Sequence, residues 1–132
     1  MFFGVYEMKY LLDTHTLLWY LLDDKSLSAT ARRTVDTEEC FYSKVSLWEI
    51  AIKQSIGKLR YKHSIPKIKD LCDQENFLNL TVTEEHIERI KTLPFIHGDP
   101  FDRILVAQAQ SEDFTIITRD TFIPQYDVKT LW

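Results

Sequence analysis

The chain has 132 residues, 45% of them apolar and 27% charged, which suits one globular domain with a real core and excludes both a disordered chain and two independent domains. A net charge of −4 excludes a protein that merely coats nucleic acid. The longest apolar run near the start, Leu17 to Leu22, is about a third of the roughly 20 residues a membrane-crossing helix needs, and the opening residues carry Glu7, Lys9 and Asp13 where a signal peptide is apolar, so the expected compartment is the cytoplasm.

In chain order, residues 9–13 read as a strand that runs into a helix bearing Leu17, Leu18, Trp19, Leu21 and Leu22. Ser28 caps a second helix reaching about Asp36. A short strand at Cys40-Phe41-Tyr42 precedes a helix from Ser46 to about Ile56, which Gly57 ends. Pro66 opens a helix near Lys67 to Gln74. A strand at Phe77 to Leu80 is followed by a helix from Thr83 to about Lys91, to which Thr83 with His86 offers a cap but not a full capping box. A helix from Pro100 to about Ser111 then leads into a strand at Thr115 to Thr118. No repeat or linker interrupts the alternation. The expected fold is therefore α/β, a three-layer α/β/α domain whose mostly parallel sheet of four to five strands is covered by helices on both faces.

Open sheets of this kind place their sites in the crevice outside the carboxyl ends of the strands. Asp13 and Asp120 fall at such ends, and Glu49 and Asp102 sit in the expected first turns of helices rising beside it. Each acid also has a local explanation. Asp13 can cap the helix beginning near Thr14, Ser46 with Glu49 has the spacing of a capping box, Asp99 before Pro100 is an N-cap, Asp102 suits the helix dipole, and Asp120 suits a turn. Jointly these explanations weaken, because four carboxylates beside apolar strands crowd like charges that a cation relieves. Cys40 and Cys72 lack C-x-x-C spacing and read as buried small side chains. His15, His63, His86 and His97 show no H-x-x-x-H pairing, so any metal would be held by carboxylates, which favours magnesium or manganese.

The segments Leu11-Leu12-Asp13-Thr14-His15, Ser46-Leu47-Trp48-Glu49-Ile50-Ala51-Ile52-Lys53, Gly98-Asp99-Pro100-Phe101-Asp102-Arg103-Ile104-Leu105-Val106-Ala107-Gln108-Ala109 and Ile117-Thr118-Arg119-Asp120 with Phe122 resemble, in order and spacing, the four blocks of the PIN-domain nucleases. The VapC-type ribonuclease toxins of bacterial toxin–antitoxin pairs are the subgroup they resemble most, over about residues 8–132. The resemblance implies an RNA-cleaving hydrolase that uses magnesium or manganese. By position it makes Asp13 and Asp102 the principal metal ligands, Glu49 and Asp120 supporting acids, and Thr118 a supporting hydroxyl, with Asp99 a further acid ranked below Asp102. It also implies an antitoxin partner and a homodimer. Chains of this family usually begin just before the first strand, so Met1 to Glu7 reads as an extension or as the product of an upstream start codon.

An acidic pocket repels RNA unless cations flank it. Lys53, Lys58 and Arg60 lie on or just beyond the Glu49 helix, and Arg103 and Arg119 adjoin two of the acids, which makes these five the candidate backbone contacts. From Ile50 to Lys69 the chain has no acidic residue and six basic ones, a pattern that serves equally as a solvated face or as a surface for phosphate or an acidic partner. Trp19, Tyr20, Trp48 and Phe101 could stack on bases, but their helical spacing beside Leu17, Leu21 and Ile52 reads first as core. Three other readings compete: a purely structural α/β domain, a PIN-like module that grips RNA or protein without cutting, and a phosphatase of the haloacid dehalogenase type. The last expects a second acid where His15 stands.

Overall fold

Central strands in a parallel sheet covered on both sides are buried at every position, not at alternate ones. In the computed structural model, which describes residues 8–132, Phe114 to Ile117 is such a strand, buried throughout. The expected extension at residues 1–7 lies outside the described residues. The elements are β1 (Lys9–Leu12), α1 (Thr14–Leu22), α2 (Ala29–Thr37), β2 (Cys40–Ser43), α3 (Lys44–Ser55), α4 (Ile65–Gln74), β3 (Leu78–Leu80), α5 (Glu84–Ile90), α6 (Pro100–Glu112), β4 (Phe114–Ile117) and β5 (Lys129–Leu131), with a 3-10 turn at Ile123–Gln125.

The five strands form one sheet in the order β3-β2-β1-β4-β5, and every pairing is parallel. Side-chain alternation divides the core in two. Tyr10 and Leu12 of β1 and Ile117 of β4 pack with Leu17, Leu47, Ile50 and Ile68 from α1, α3 and α4. On the other face, Leu11, Phe114 and Ile116 pack with Ile104 to Ala107 of α6. These are the three layers expected from the sequence.

The order of strands reverses between β1 and β4, since the chain proceeds from β1 to β2 and β3 on one side and returns to β4 on the other. Such a switch point leaves a crevice at the strand ends. Leu12 pairs with Ile117, so the two strands end level, and the Asp13 amide donates to the Ile117 carbonyl at 3.3 Å. That register sets Asp13 beside Thr118.

Three expectations need correction. α3 begins two residues earlier than its sequence reading, because the Ser43 hydroxyl accepts the Val45 amide and takes the N-cap; Ser46 and Glu49 lie inside the helix and form no capping box. α5 does have a capping box, since His86 Nδ1 accepts the Thr83 amide at 3.0 Å while Thr83 Oγ1 accepts the His86 amide, so an imidazole does the work usually given to Glu or Gln. β5 went unread as an element because three residues at a half-exposed edge carry no apolar pattern. Gly57 ends α3 as expected, with φ of +72°.

Candidate metal centre

Asp13 reaches the crevice through its own helix cap. Its backbone is extended, one carboxylate oxygen accepts the Thr16 amide at 2.8 Å, and the other accepts the Thr118 hydroxyl. Burial pushes this carboxyl above its ordinary range, while the bonds from Thr118 and Thr16 pull it back. Thr118 in turn accepts the Asp120 amide at 2.9 Å, and Asp120 Oδ2 accepts the amides of Phe122 and Ile123, which fixes the turn after β4. The turn role expected of Asp120 is thus real, and one of its oxygens remains free of it.

Glu49 comes from the second turn of α3 and is buried. Thr14 Oγ1 donates to its Oε1 at 2.7 Å and Lys53 Nζ pairs with its Oε2 at 2.7 Å. At the start of α6, Asp99 Oδ1 caps the helix by accepting the Phe101 and Asp102 amides, which leaves Asp102 on the first turn facing the crevice. The Asp102 carboxyl is pushed up to about 8, first by burial and then by Asp99, Asp120, Asp13 and Glu49. Four acids from four separate parts of the chain thus act on one carboxyl, an arrangement that favours either a proton or a cation.

All five acids line one cleft of about 350 Å³, together with His15, Trp19, Lys53, His97 and Arg119. A set of convergent carboxylates with a buried hydroxyl fits a hard divalent cation. Among the described residues, His97, Asp99 and Asp102 form a group of candidate ligands, each offering an atom within 4.8 Å of the others. His97 was not singled out by spacing, because a lone histidine in a loop has no partner in the sequence; its place two residues before the Asp99 cap was the only available signal.

Of the five basic residues offered as backbone contacts, only Lys53 and Arg119 line the cleft. Arg119 lies over the Trp19 ring at 4.6 Å, and His15 stacks on the same ring. Arg103 points elsewhere, its guanidinium bonded to the Pro94 carbonyl and Tyr126 hydroxyl and lying over Phe95. Arg60 borders a separate hollow with Tyr61 and His63, and Lys58 is exposed beyond the end of α3. Trp48 is no core residue either: it is 63% exposed and meets Phe101 edge to face.

The PIN domain profile matches residues 10–129. The chain belongs to the PIN-domain family. Solved structures share the fold of this PIN domain at low identity. VapBC2 of Rickettsia felis, bound to a DNA fragment from its promoter, is 12% identical with a TM-score of 0.70, over 95% of this chain and 99% of that one. FitAcB of Neisseria gonorrhoeae is 17% identical with a TM-score of 0.64, over 93% and 96%. A toxin–antitoxin complex of Klebsiella pneumoniae is 18% identical with a TM-score of 0.58, over 85% and 87%. No curated protein matches the sequence.

Proposed function

We propose that this PIN domain is a divalent-cation-dependent endoribonuclease, the toxin of a toxin–antitoxin pair. The observation that carries the reading is the convergence of Asp13, Glu49, Asp102 and Asp120 on one cleft at the sheet's switch point, with Asp102 held at about 8 by its acidic neighbours. Asp13 and Asp102 would hold a magnesium or manganese ion, with Glu49 and Asp120 in support and Asp99 beside them. Such an ion, when bound, supplies charge neutralisation at the scissile phosphate and makes a water acidic enough to attack.

The chain's own groups do the rest. Thr118 and Thr16 lock the Asp13 carboxylate in one orientation. Glu49, anchored by Thr14 and Lys53, keeps acceptor capacity for orienting the attacking water, since a carboxylate has about four acceptor sites. Lys53 and Arg119 offset the acids and receive the flanking phosphates, and Trp19 offers a ring beside them. As the likeness to PIN nucleases implies, water would attack phosphorus and the bond to the 3′ oxygen would break, which leaves a 5′-phosphate and a 3′-hydroxyl with no covalent enzyme intermediate.

The neighbours named VapBC2, FitAcB and the Klebsiella complex support an antitoxin partner, whose acidic or aromatic segment would lie against the basic and aromatic rim of the cleft. A second copy would use a different face. Trp48, Val82, Ile87, Phe101 and Ile104 line a groove that is apolar but for Lys44 at its edge. An isologous interface must be self-complementary, which an apolar face is and a face of a single charge sign is not. Among the described residues no helix is long and apolar enough to cross a membrane, and the cytoplasm is the proposed compartment.

Purified protein given RNA with magnesium or manganese should cut it, and Asp13→Asn or Asp102→Asn should abolish cutting while circular dichroism stays native. A variant that still binds RNA, beside a wild type that never cuts it, would favour the non-catalytic binding module instead.

A further inference from the structure

His97 stands in the cleft with no part in the acid set, and its geometry is unlike that of a solvated loop histidine. Its amide donates to the Tyr126 hydroxyl at 2.9 Å, and that tyrosine is buried. Its ring lies flat on Phe122, centroids 4.4 Å apart and planes within 3°. Phe122 is fixed in turn, because its own amide donates to Asp120. The imidazole is therefore held at backbone and ring, and one of the acids bonds the backbone amide of the phenylalanine beneath it.

The contact so produced is informative. His97 Nε2 lies 3.4 Å from Asp102 Oδ2. A charge-assisted hydrogen bond between imidazole and carboxylate would close to about 2.7–2.9 Å, so this is a poor one. Two ligands at right angles on one ion, each about 2.1 Å from it, stand roughly 3 Å apart. The separation suits neighbouring ligands better than a donor and its acceptor, and Asp99 offers a third ligand atom close by, the three lying within 4.8 Å of one another.

We propose that His97 supplies an imidazole nitrogen to the cation, so that the centre is a mixed nitrogen and oxygen site that prefers manganese, or another first-row divalent transition ion, to magnesium. Imidazole binds transition ions well and magnesium poorly, whereas carboxylates alone discriminate little in that direction. The inference rests on the metal-dependent reading above and adds to it the identity of one ligand and the preferred ion.

Electron spin echo spectroscopy of the protein loaded with manganese reads the ligand directly, because a coordinated imidazole imposes nitrogen modulation on the echo. Wild type should show that modulation, and His97→Ala and His97→Gln should both lose it. The His15→Ala variant should keep it, since His15 lines the same cleft. Calorimetric titration of the same variants should show manganese affinity falling by about tenfold or more, with magnesium affinity changed far less. Manganese bound to wild type without nitrogen modulation, or modulation lost only in His15→Ala, overturns the assignment of His97 and leaves the metal-dependent reading standing. Failure of wild type to bind any manganese overturns both.

Discussion

Asp102 shows how a single carboxyl can be costly to the fold and still be kept. In the unfolded chain it titrates near 3.8, and in the folded chain near 8, so the folded state prefers the protonated form. The unfolded state then holds fewer protons between those values, and stability falls as pH rises from about 4 to about 8. In chelator we expect a loss on the order of a few kcal/mol across that window, read by chemical denaturation at a series of pH values. At pH 8 in chelator, Asp102→Asn should raise the melting temperature by several degrees, because it removes the crowded charge, while added manganese should stabilise wild type and not the variant. A flat wild-type profile would mean that the five acids are not in fact crowded. The acids themselves were legible in the sequence because each closes an apolar run or opens a helix, the places where chemistry collects on an α/β sheet. His97 was not legible, since what commits it to the cleft is a ring stack and a hydroxyl from residues well downstream.

At the scale of elements, the site is built from helix caps. Asp13 caps α1 and Asp99 caps α6 while both line the cleft, so the capping and functional readings of these residues are not rivals. For Glu49 the sequence misled in a specific way. Ser46 with Glu49 has the spacing of a capping box, yet Ser43 takes the cap and pushes Glu49 onto the second turn, where it meets Thr14 of α1. Removing the true cap with Ser43→Ala should cost about 1 kcal/mol, whereas a cap at Ser46 would make that change nearly neutral; urea denaturation of the two alanine variants distinguishes them. The capping box of α5 escaped notice for a related reason: His86 is not a residue type associated with the motif, and its second nitrogen is held 2.5 Å from Glu112 of α6, a contact between helices that no local pattern announces. β5 is short and half exposed, so its pairing with β4 had to come from the fold.

At the scale of the whole molecule, alternation of apolar strands and capped helices was enough to read the three layers, because a parallel sheet covered on both faces leaves few other solutions. What alternation could not give was the strand order. That depends on the return of the chain after β3 to lie beside β1, and this return creates the switch point where Asp13 meets Thr118. The apolar face around Trp48 also emerges only in three dimensions: helical spacing suggested core, but no other described element covers it. If a second copy covers it, Trp48→Glu should convert a dimer to a monomer in size-exclusion chromatography with light scattering, at unchanged helical content. A monomeric wild type would refute that use of the face. Central to the proposed function is a cation, held by the converging acids, that cuts RNA. Sequencing both ends of RNA treated with the purified protein and magnesium or manganese tests it most directly: wild type should leave 5′-phosphate and 3′-hydroxyl termini that vanish with chelator and with Asp102→Asn, and identical RNA profiles from wild type and Asp102→Asn would contradict it.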